Sequence, residues 1–298
     1  MNSSKNTFSI KDLENLSGIK AHTIRIWEKR YNILEPMRTN TNIRLYDPES
    51  LQKLLNITLL HNHGYKISTI SKYPPEKIPQ LVSEIISVKS VKTHAISAFK
   101  MAMLHFDQNH FLDTYNKLLS EKTFREIFNE VFLPLLKELG SLWLSGTITP
   151  AQEHFTCNLI RQKLVINIEN AQLSKPVITD RVFVLYLPSG EIHDLALMYI
   201  NYELLLNGFQ TIYLGADIPM ENLKDLRKNF NAITYISYLT VKPEAETVNE
   251  YIKLMNKNIM AENSQLWLAG QQTKNISQDI LDPRNRIFDS VSELISQL

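Results

Sequence analysis

The sequence lacks a second cysteine, a long apolar run and a dinucleotide fingerprint. Its single cysteine, Cys157, excludes an intrachain disulfide and a cysteine-cluster zinc site, and it fits a reducing cytoplasm. No apolar run approaches the roughly 18–20 residues that a membrane helix needs, so no membrane partner is expected. The N-terminal sequence MNSSKNTFSI has no apolar signal core, so we expect a cytoplasmic protein.

The composition is that of a globular protein with an uneven charge distribution. The 298 residues are 44% apolar and 21% charged, which predicts two or three domains. Residues 1–75 contain 11 Lys and Arg against 6 Asp and Glu, whereas the remainder contains 21 against 25. The basic N-terminal end indicates a polyanionic partner, and a chance imbalance is the alternative on charge alone.

The stretch from Thr23 to Tyr46, TIRIWEKRYNILEPMRTNTNIRLY, alternates cations with aromatic side chains. The cations are Arg25, Lys29, Arg30, Arg38 and Arg44, among Trp27, Tyr31 and Tyr46. This mixture is typical of a surface that grips a nucleic-acid backbone, so we expect double-stranded DNA as the partner.

Two short helices precede a turn-rich loop in this region. Ser9 with Asp12 is a helix-capping signature, Ser17-Gly18 ends that helix, and a second helix is predicted over about residues 21–31. Its buried stripe is predicted at Ile24, Trp27 and Tyr31, and its opposite face carries His22, Arg25 and Lys29. The Asn-rich loop between Arg38 and Arg44 predicts a two-stranded wing.

The segment from Phe8 to about Tyr73 resembles the winged-helix domain of the MerR family of transcription regulators. The matching residues are Thr23–Tyr31, Leu34-Glu35-Pro36, Arg38, Asn42 and Arg44–Tyr46. The resemblance implies a second helix in the major groove and a wing on the phosphates. The implied base-edge and phosphate contacts are His22, Thr23, Arg25 and Tyr31, with phosphate contacts at Arg38 and Arg44. Taken alone, Trp27 is more typical of a core residue than of a DNA contact. Glu28 is more typical of a partner in an internal salt bridge.

MerR regulators bind near-palindromic operators, so the resemblance also implies a homo-oligomer, a dimer or a tetramer. The fold predicted for the whole chain is multidomain, α and α/β. It comprises a winged helix-turn-helix domain (residues 1–75), a proline-rich linker (76–90), a bundle of four or five helices (91–176) and a doubly wound parallel α/β domain (177–298).

The α/β prediction rests on alternating apolar strands and helices. Strands are predicted at residues 182–187, 210–214, 232–239 and 266–268, and helices at 195–206, 223–230, 248–255 and near 291–298. Ligands of such sheets bind at the carboxyl ends of the strands. The missing G-x-G-x-x-G fingerprint disfavours NAD.

The loop after the first of these strands places Glu191 two residues before His193. An acid bonded to one imidazole nitrogen leaves the other nitrogen for a metal, although a loop histidine is more often only polar surface. Further upstream, Trp143 precedes Glu153-His154 across a predicted interhelical loop. Taken alone, these residues indicate a core tryptophan and a surface pair.

Four segments resemble, in order, the motifs of cobalamin-binding domains with a flavodoxin-like fold. They are Glu191–Ala196, Leu214–Pro219, Ser237–Leu239 and Leu268–Gln271. The spacing of Trp143 and Glu153-His154 resembles the Trp-x(9)-Glu-His motif in the helical cap of one MerR branch, the cobalamin-dependent photoreceptor repressors of the CarH and LitR type.

This second resemblance implies a set of cofactor contacts. His193 would be the lower axial ligand of cobalt, with Glu191 orienting it. Ser237, Leu239 and Gly270 would line the slot for the displaced nucleotide tail of cobalamin. Trp143, Glu153 and His154 would cover the upper face, where the adenosyl group of adenosylcobalamin would lie. In that branch the cofactor is light-labile and controls assembly and operator binding.

Three residues depart from the motifs of that branch. Ala196 and Ala269 replace glycines that allow close approach, and Leu144 replaces a histidine that captures cobalt after illumination. We therefore expect a DNA-binding repressor, not an enzyme, that is controlled by adenosylcobalamin, with light as a candidate second input. The alternatives are a cobalamin-independent regulator with a vestigial or partner-binding slot and, with less support, a corrinoid methyl carrier.

Overall fold

The computed structural model describes residues 7–84 and 88–298, and the chain divides into two units, residues 1–159 and 160–298. Residues 1–6, most of the N-terminal sequence MNSSKNTFSI, lie outside the described part. Residues 85–87 of the predicted linker also lie outside it. The first unit is helical with a small antiparallel sheet. The second unit contains a parallel sheet flanked by helices.

The N-terminal elements form a winged helix. They are β1 (Phe8–Ser9), α1 (Ile10–Ser17), α2 (Ala21–Tyr31), β2 (Met37–Arg38), β3 (Arg44–Tyr46), α3 (Pro48–Asn62) and α4 (Ile67–Ile70). The predicted capping box at Ser9 is confirmed, since its hydroxyl accepts the backbone N–H of Asp12 at 3.2 Å. Gly18, with φ of +76°, ends α1 in the left-handed region that favours glycine.

The core of the winged helix begins on α2. Ile24 is fully buried, and Trp27 is 7% exposed, with 5.4 Å between its ring centroid and that of His61 in an edge-to-face arrangement. Tyr31, the third residue of the predicted stripe, is only partly buried. The predicted wing is confirmed as β2 and β3, which pair antiparallel with Arg38 opposite Arg44. The sequence pattern missed β1, a two-residue strand that pairs with β3.

The proline-rich segment after the winged helix is not an extended connector. Residues Lys77–Glu84 form α5, which packs against α3 and buries Ile78, Leu81 and Val82. Pro79 is the third residue of this helix, where a backbone N–H has no intrahelical acceptor and its loss costs nothing. Residues 77–84 of the predicted linker are therefore helical rather than extended.

A helical bundle completes the first unit and extends into the second. Its elements are α6 (Val88–His105), α7 (Gln108–Leu119), α8 (Phe124–Ile127), a π-helical turn (Phe128–Phe132), α9 (Leu133–Leu144) and α10 (Pro150–Gln172). Phe99 lies 4.7 Å from Phe111 and 5.5 Å from Phe132, measured between ring centroids, in its core. The continuous run from α8 to α9 makes four long helices, as the periodicity predicts.

The winged helix contacts the bundle through polar side chains. The Asn15 amide donates to the hydroxyl of buried Thr147 at 2.8 Å. The buried ammonium of Lys100 donates to the carbonyl oxygen of Leu16, in the last turn of α1, at 3.3 Å and also pairs with Glu138. A cation at this position satisfies a carbonyl that the helix leaves unpaired. Packing is thus continuous across residue 75, which the sequence analysis takes as a domain boundary.

The second unit contains five parallel strands in the order β5-β4-β6-β7-β8. Its elements are β4 (Ile178–Pro188), α11 (Leu195–Leu206), β5 (Phe209–Ile218), a 3₁₀ helix (Met220–Lys228), β6 (Ile233–Tyr238), α12 (Val248–Asn258), β7 (Gln265–Ala269), β8 (Asn285–Phe288) and α13 (Val291–Ile295). The first strand, β4, lies inside the sheet, with β5 on one side of it and β6 on the other. This change in strand order creates a switch point beside β4, where ligands of such sheets bind.

The predicted α/β pattern is confirmed with two corrections. The α-helix expected over residues 223–230 is instead a 3₁₀ helix at Met220–Lys228. β8 was not predicted, because it is a four-residue edge strand whose polar Asn285 and Arg286 hide its alternation. β4 is buried on both faces along Val182–Leu187, as a central parallel strand must be.

Candidate cofactor site and nucleic-acid interface

The loop after β4 is anchored by the turn that follows β5. The backbone N–H of Gly190 donates to the Asp217 carboxylate at 2.8 Å, and the N–H of Asp217 donates to the Glu191 carbonyl at 3.2 Å. Gly190 has φ of +80°, a conformation that glycine adopts without strain. The predicted Leu214–Pro219 turn therefore supports the loop that carries Glu191 and His193.

The carboxylate of Glu191 joins two loops at the carboxyl edge of the sheet. Its Oε2 accepts the backbone N–H groups of Thr240, Val241 and Lys242 at 3.2, 2.6 and 2.8 Å. Its Oε1 accepts the N–H groups of Ile192 and His193 at 2.9 and 3.0 Å. The side chain is fully buried. One carboxylate thus satisfies five backbone donors from the loops after β4 and β6.

These donors keep Glu191 ionised. Burial acts to raise the pKa of its carboxyl group, but the hydrogen bonds from the His193 ring and from the backbone outweigh burial and lower the pKa to about 2. An ionised carboxylate only accepts hydrogen bonds, so the nearby imidazole must donate to it.

His193 presents one ring nitrogen to this carboxylate. Its Nδ1 lies 2.5 Å from Glu191 Oε1, and its side chain is 49% exposed. Because Nδ1–H donates to Glu191, Nε2 carries the lone pair in the neutral ring and is the atom that can ligate a metal. The structure therefore brings together the Glu191 and His193 pair that the sequence predicts.

Asp194, the next residue, is fixed by a cation that the sequence analysis missed. The Arg161 guanidinium donates to both carboxylate oxygens, at 2.7 and 2.5 Å, and the Tyr213 hydroxyl lies 3.4 Å from one of them. Burial and the negative charge of Asp194 raise the pKa of Tyr213. The His-Asp dipeptide was visible in the sequence, whereas its partner 33 residues upstream carried no local signal.

Ser237, Leu239 and Gly270 meet where β6 and β7 end. The Ser237 hydroxyl is buried and has no hydrogen-bond partner among the described residues. The Leu239 backbone donates to Ala269 O at 2.8 Å and accepts from the Gln272 N–H at 3.0 Å. The Leu239 side chain lies in the core beneath the site. A buried polar atom without a partner is the feature expected of a group that receives a ligand.

Gly270 cannot be enlarged without moving this junction. Its φ is +107°, and a Cβ there would lie 2.4 Å from the Leu239 carbonyl oxygen. We expect Gly270→Ala to lower the free energy of unfolding by at least about 2 kcal/mol. Gly140→Ala is the control, because Gly140 lies in α9 with open space around it. The Gly140→Ala substitution should stabilise the protein by about 0.5–1 kcal/mol. Urea unfolding measures both, and equal effects would contradict the close approach at Gly270.

The residues predicted to cover the cofactor lie on the first unit. Trp143 is 49% exposed and Leu144 is 80% exposed at the end of α9, so Trp143 is not a core residue. Glu153 lies 3.3 Å from the His154 ring and accepts from the Cys157 thiol at 3.1 Å. Exposed aromatic surface of this kind is available for stacking on a planar ligand.

The outer face of α2 is cationic and exposed. His22, Arg25, Lys29 and Arg30 are exposed, whereas Thr23 and Tyr31 are partly buried. The Thr23 hydroxyl lies 3.3 Å from the His22 ring. All four DNA contacts predicted on this helix are therefore accessible to some degree.

The wing arginines differ in their surroundings. Arg38 is exposed and donates to the Asn42 side chain at 2.5 Å, in a turn where Asn42 has φ of +63°. Arg44 donates through Nε to Glu28 at 3.0 Å, and the Tyr46 hydroxyl donates to the same carboxylate at 2.9 Å. Glu28 is thus the internal partner that was expected. Arg44 is 31% exposed and braces the wing against α2.

Across residues 7–84 and 88–298, no helix combines the length and apolarity that crossing a bilayer requires.

Comparisons with known proteins match the winged helix and the helical bundle. Residues 8–77 match the model of the MerR HTH family of regulatory proteins, and residues 95–166 match a B12-binding domain. The HTH-type transcriptional repressor CarH of Myxococcus xanthus is 26% identical over 275 residues, which cover 89% of each chain. The repressor CarA of the same organism is 25% identical over 73% of this chain and 71% of its own.

A solved structure extends the comparison to the fold. The monomethylamine corrinoid protein of Methanosarcina barkeri aligns with a TM-score of 0.54 at 13% identity, over 69% of this chain and 97% of that one. The likeness covers the fold alone. The two matched segments and the CarH and CarA relatives support a regulator of the MerR family with a cobalamin-binding module.

Proposed function

We propose that this regulator is a cytoplasmic repressor whose operator binding and assembly into a dimer or tetramer are controlled by adenosylcobalamin, with light as a second input. The observation that carries the proposal is the buried Glu191 carboxylate holding His193 at the carboxyl edge of the sheet. The relatives from Myxococcus xanthus, which are named transcriptional repressors, support the sign of regulation.

The residues around His193 fit a cobalamin with a displaced tail. His193 would hold cobalt through Nε2, and Glu191 would orient the ring. The unpartnered Ser237 hydroxyl supports a tail slot lined also by Leu239 and Gly270, since it offers a buried donor and acceptor to a ligand. Bound adenosylcobalamin supplies a light-labile cobalt–carbon bond.

Three further residues would contact the adenosyl group of the cofactor. Trp143 would lie against the adenosyl group, with Glu153 and His154 beside it, and the exposure of Trp143 supports this role. Leu144 has no atom that can ligate a metal, so this position would not hold cobalt after illumination. The light input is thus the part of the proposal that Leu144 weakens.

The DNA contacts would come from α2 and the wing. Arg25 and His22 would reach base edges or phosphates together with Thr23 and Tyr31, because α2 presents them on its outer face. Arg38 would contact phosphate, and Arg44 would do so while it braces the wing through Glu28.

A spectrum combined with size-exclusion chromatography tests the proposal. Protein mixed with adenosylcobalamin in the dark should show the absorbance of a histidine-ligated cofactor and should elute as a larger assembly than the cofactor-free protein. Green light should change both the spectrum and the elution volume. Cofactor uptake without any change on illumination would remove light from the proposal and keep cobalamin control.

A cobalamin-independent regulator is the second candidate, and Ala269 favours it. This residue is fully buried where the resemblance to cobalamin-binding domains places a glycine, so its methyl group would reduce the space for a cofactor there. Absence of any cofactor uptake, with intact operator binding, would select this candidate over the first.

The wing gives a prediction about salt. Arg38→Ala should weaken binding to every duplex sequence to a similar extent and should reduce the slope of log K against log salt by about 1, because one phosphate contact is lost. The control is Lys253→Ala, which removes an exposed cation of α12 and should leave the slope unchanged. Fluorescence anisotropy across a salt series measures both slopes. An unchanged slope in Arg38→Ala would contradict the phosphate role.

A further inference from the structure

Helix α2, which we propose enters the major groove, carries an apolar side chain that the fold leaves half exposed. Ile26 is 50% exposed, while its neighbours Ile24 and Trp27 are 0% and 7% exposed and make the core contacts of α2. Residues 22, 25, 26 and 29 follow each other around one face of the helix, so Ile26 lies among His22, Arg25 and Lys29.

Local stability does not account for an isoleucine at this position. β-Branched side chains lose rotamer freedom in a helix, and alanine, lysine or glutamate would each favour the helix more. A half-exposed isoleucine also leaves apolar surface in water, which is unfavourable until a partner covers it. The residue is therefore better explained by what binds this face than by the fold of the winged helix.

Charge identifies the occupant of this face. Arg25, Lys29 and Arg30 surround Ile26 and are exposed. The nearest acid in sequence, Glu28, is turned toward the wing and accepts from Arg44 and Tyr46. A cationic helix face without a competing acid is complementary to a polyanion, and the major groove of a DNA duplex admits a helix of this width.

We propose that Ile26 is a specificity-determining residue that contacts the 5-methyl group of a thymine in each operator half-site. An isoleucine side chain cannot donate to phosphate or to a base edge. The thymine methyl is the one apolar group that the bases expose in the major groove, so it is the group that an isoleucine can select. The inference rests on the DNA binding of the proposed function and is independent of its cobalamin control.

The contact predicts a preference that depends on a single methyl group. Full-length protein first selects its binding sites from a random duplex library. Each thymine of the selected half-site is then replaced singly by deoxyuridine, which removes only the methyl group. At one thymine per half-site the parent protein should bind about 4-fold more weakly after the replacement, the factor for burying one methyl group.

Two variants separate this role from others. Ile26→Ala should bind thymine and deoxyuridine duplexes equally at that position, with the parent's salt slope, because no phosphate contact is lost. Ile43→Ala removes an exposed isoleucine of the wing and should keep the parent's 4-fold preference. Circular dichroism checks that both variants remain folded.

Three results would overturn the inference. They are a parent indifferent to deoxyuridine at every thymine, an Ile26→Ala variant that keeps the preference, and an Ile26→Ala variant whose oligomeric state changes because a second copy covers this face. If the parent enriches no sequence from the library, the DNA binding of the proposed function fails instead. The two failures are therefore distinguishable.

Discussion

Replacement of His193 by alanine should lower the affinity for adenosylcobalamin by at least about 100-fold, because the change removes a ligand itself, whereas loss of a residue that only orients a ligand costs roughly 10–100-fold. The structure fixes His193 Nδ1 on Glu191 at 2.5 Å and leaves the ring 49% exposed, so Nε2 is the ring atom that remains for cobalt. Titration followed by absorbance measures the affinity, and the spectrum reports the loss of the axial nitrogen.

The matched control is another exposed histidine. His110→Ala changes a residue at the start of α7 and should leave cofactor affinity and spectrum unchanged. His193→Ala should keep the fold and the affinity of the cofactor-free protein for DNA, since its imidazole is half-exposed and lies in the second unit. Indistinguishable spectra of His193→Ala and the parent with cofactor would contradict the axial role.

Replacement of Glu191 by alanine should have the largest effect on stability. The change removes the fully buried carboxylate that accepts the backbone N–H groups of Val241, Lys242 and His193, so we expect the second unit to lose about 3–5 kcal/mol of its free energy of unfolding. Amide hydrogen exchange over β4 and β6 resolves the effect within this unit. Cofactor affinity should fall as well, because His193 loses its orienting partner.

Two further substitutions separate charge from size at this position. Glu191→Gln keeps the length of the side chain, but its amide NH₂ would face backbone donors, so it should recover only part of the stability. Glu250→Ala removes an exposed carboxylate of α12 and should change stability by less than about 0.5 kcal/mol. If Glu191→Ala were as stable as Glu250→Ala, the carboxylate would not be joining the two loops.

The elements with strong end signals could be predicted from sequence. The helices expected over residues 21–31 and 195–206 coincide with α2 and α11, because residues that end a helix, Asn32 in the left-handed conformation and Asn207 before Gly208, follow directly. The Glu191 and His193 pair was also predictable, since its two members are separated by a single residue. Such features are encoded locally and need no knowledge of the fold.

Features that depend on distant partners could not be predicted. The donors of Thr240–Lys242 reach Glu191 from 49 to 51 residues away, and Arg161 meets Asp194 across 33 residues. Pro79 indicated a break, but packing of Ile78 and Leu81 decided in favour of α5. The edge strand β8 was missed because only one face of a short strand meets the core. In each case tertiary contacts outweighed the local pattern.

The operator affinity of the full chain, in the dark with and without adenosylcobalamin, tests the central claim most directly. The account predicts that the cofactor changes the dissociation constant of the parent by about 10-fold or more, within the usual range for coupled sites, and that His193→Ala loses this dependence. A parent that binds its operator equally with and without cofactor, or a His193→Ala variant that responds like the parent, would contradict it.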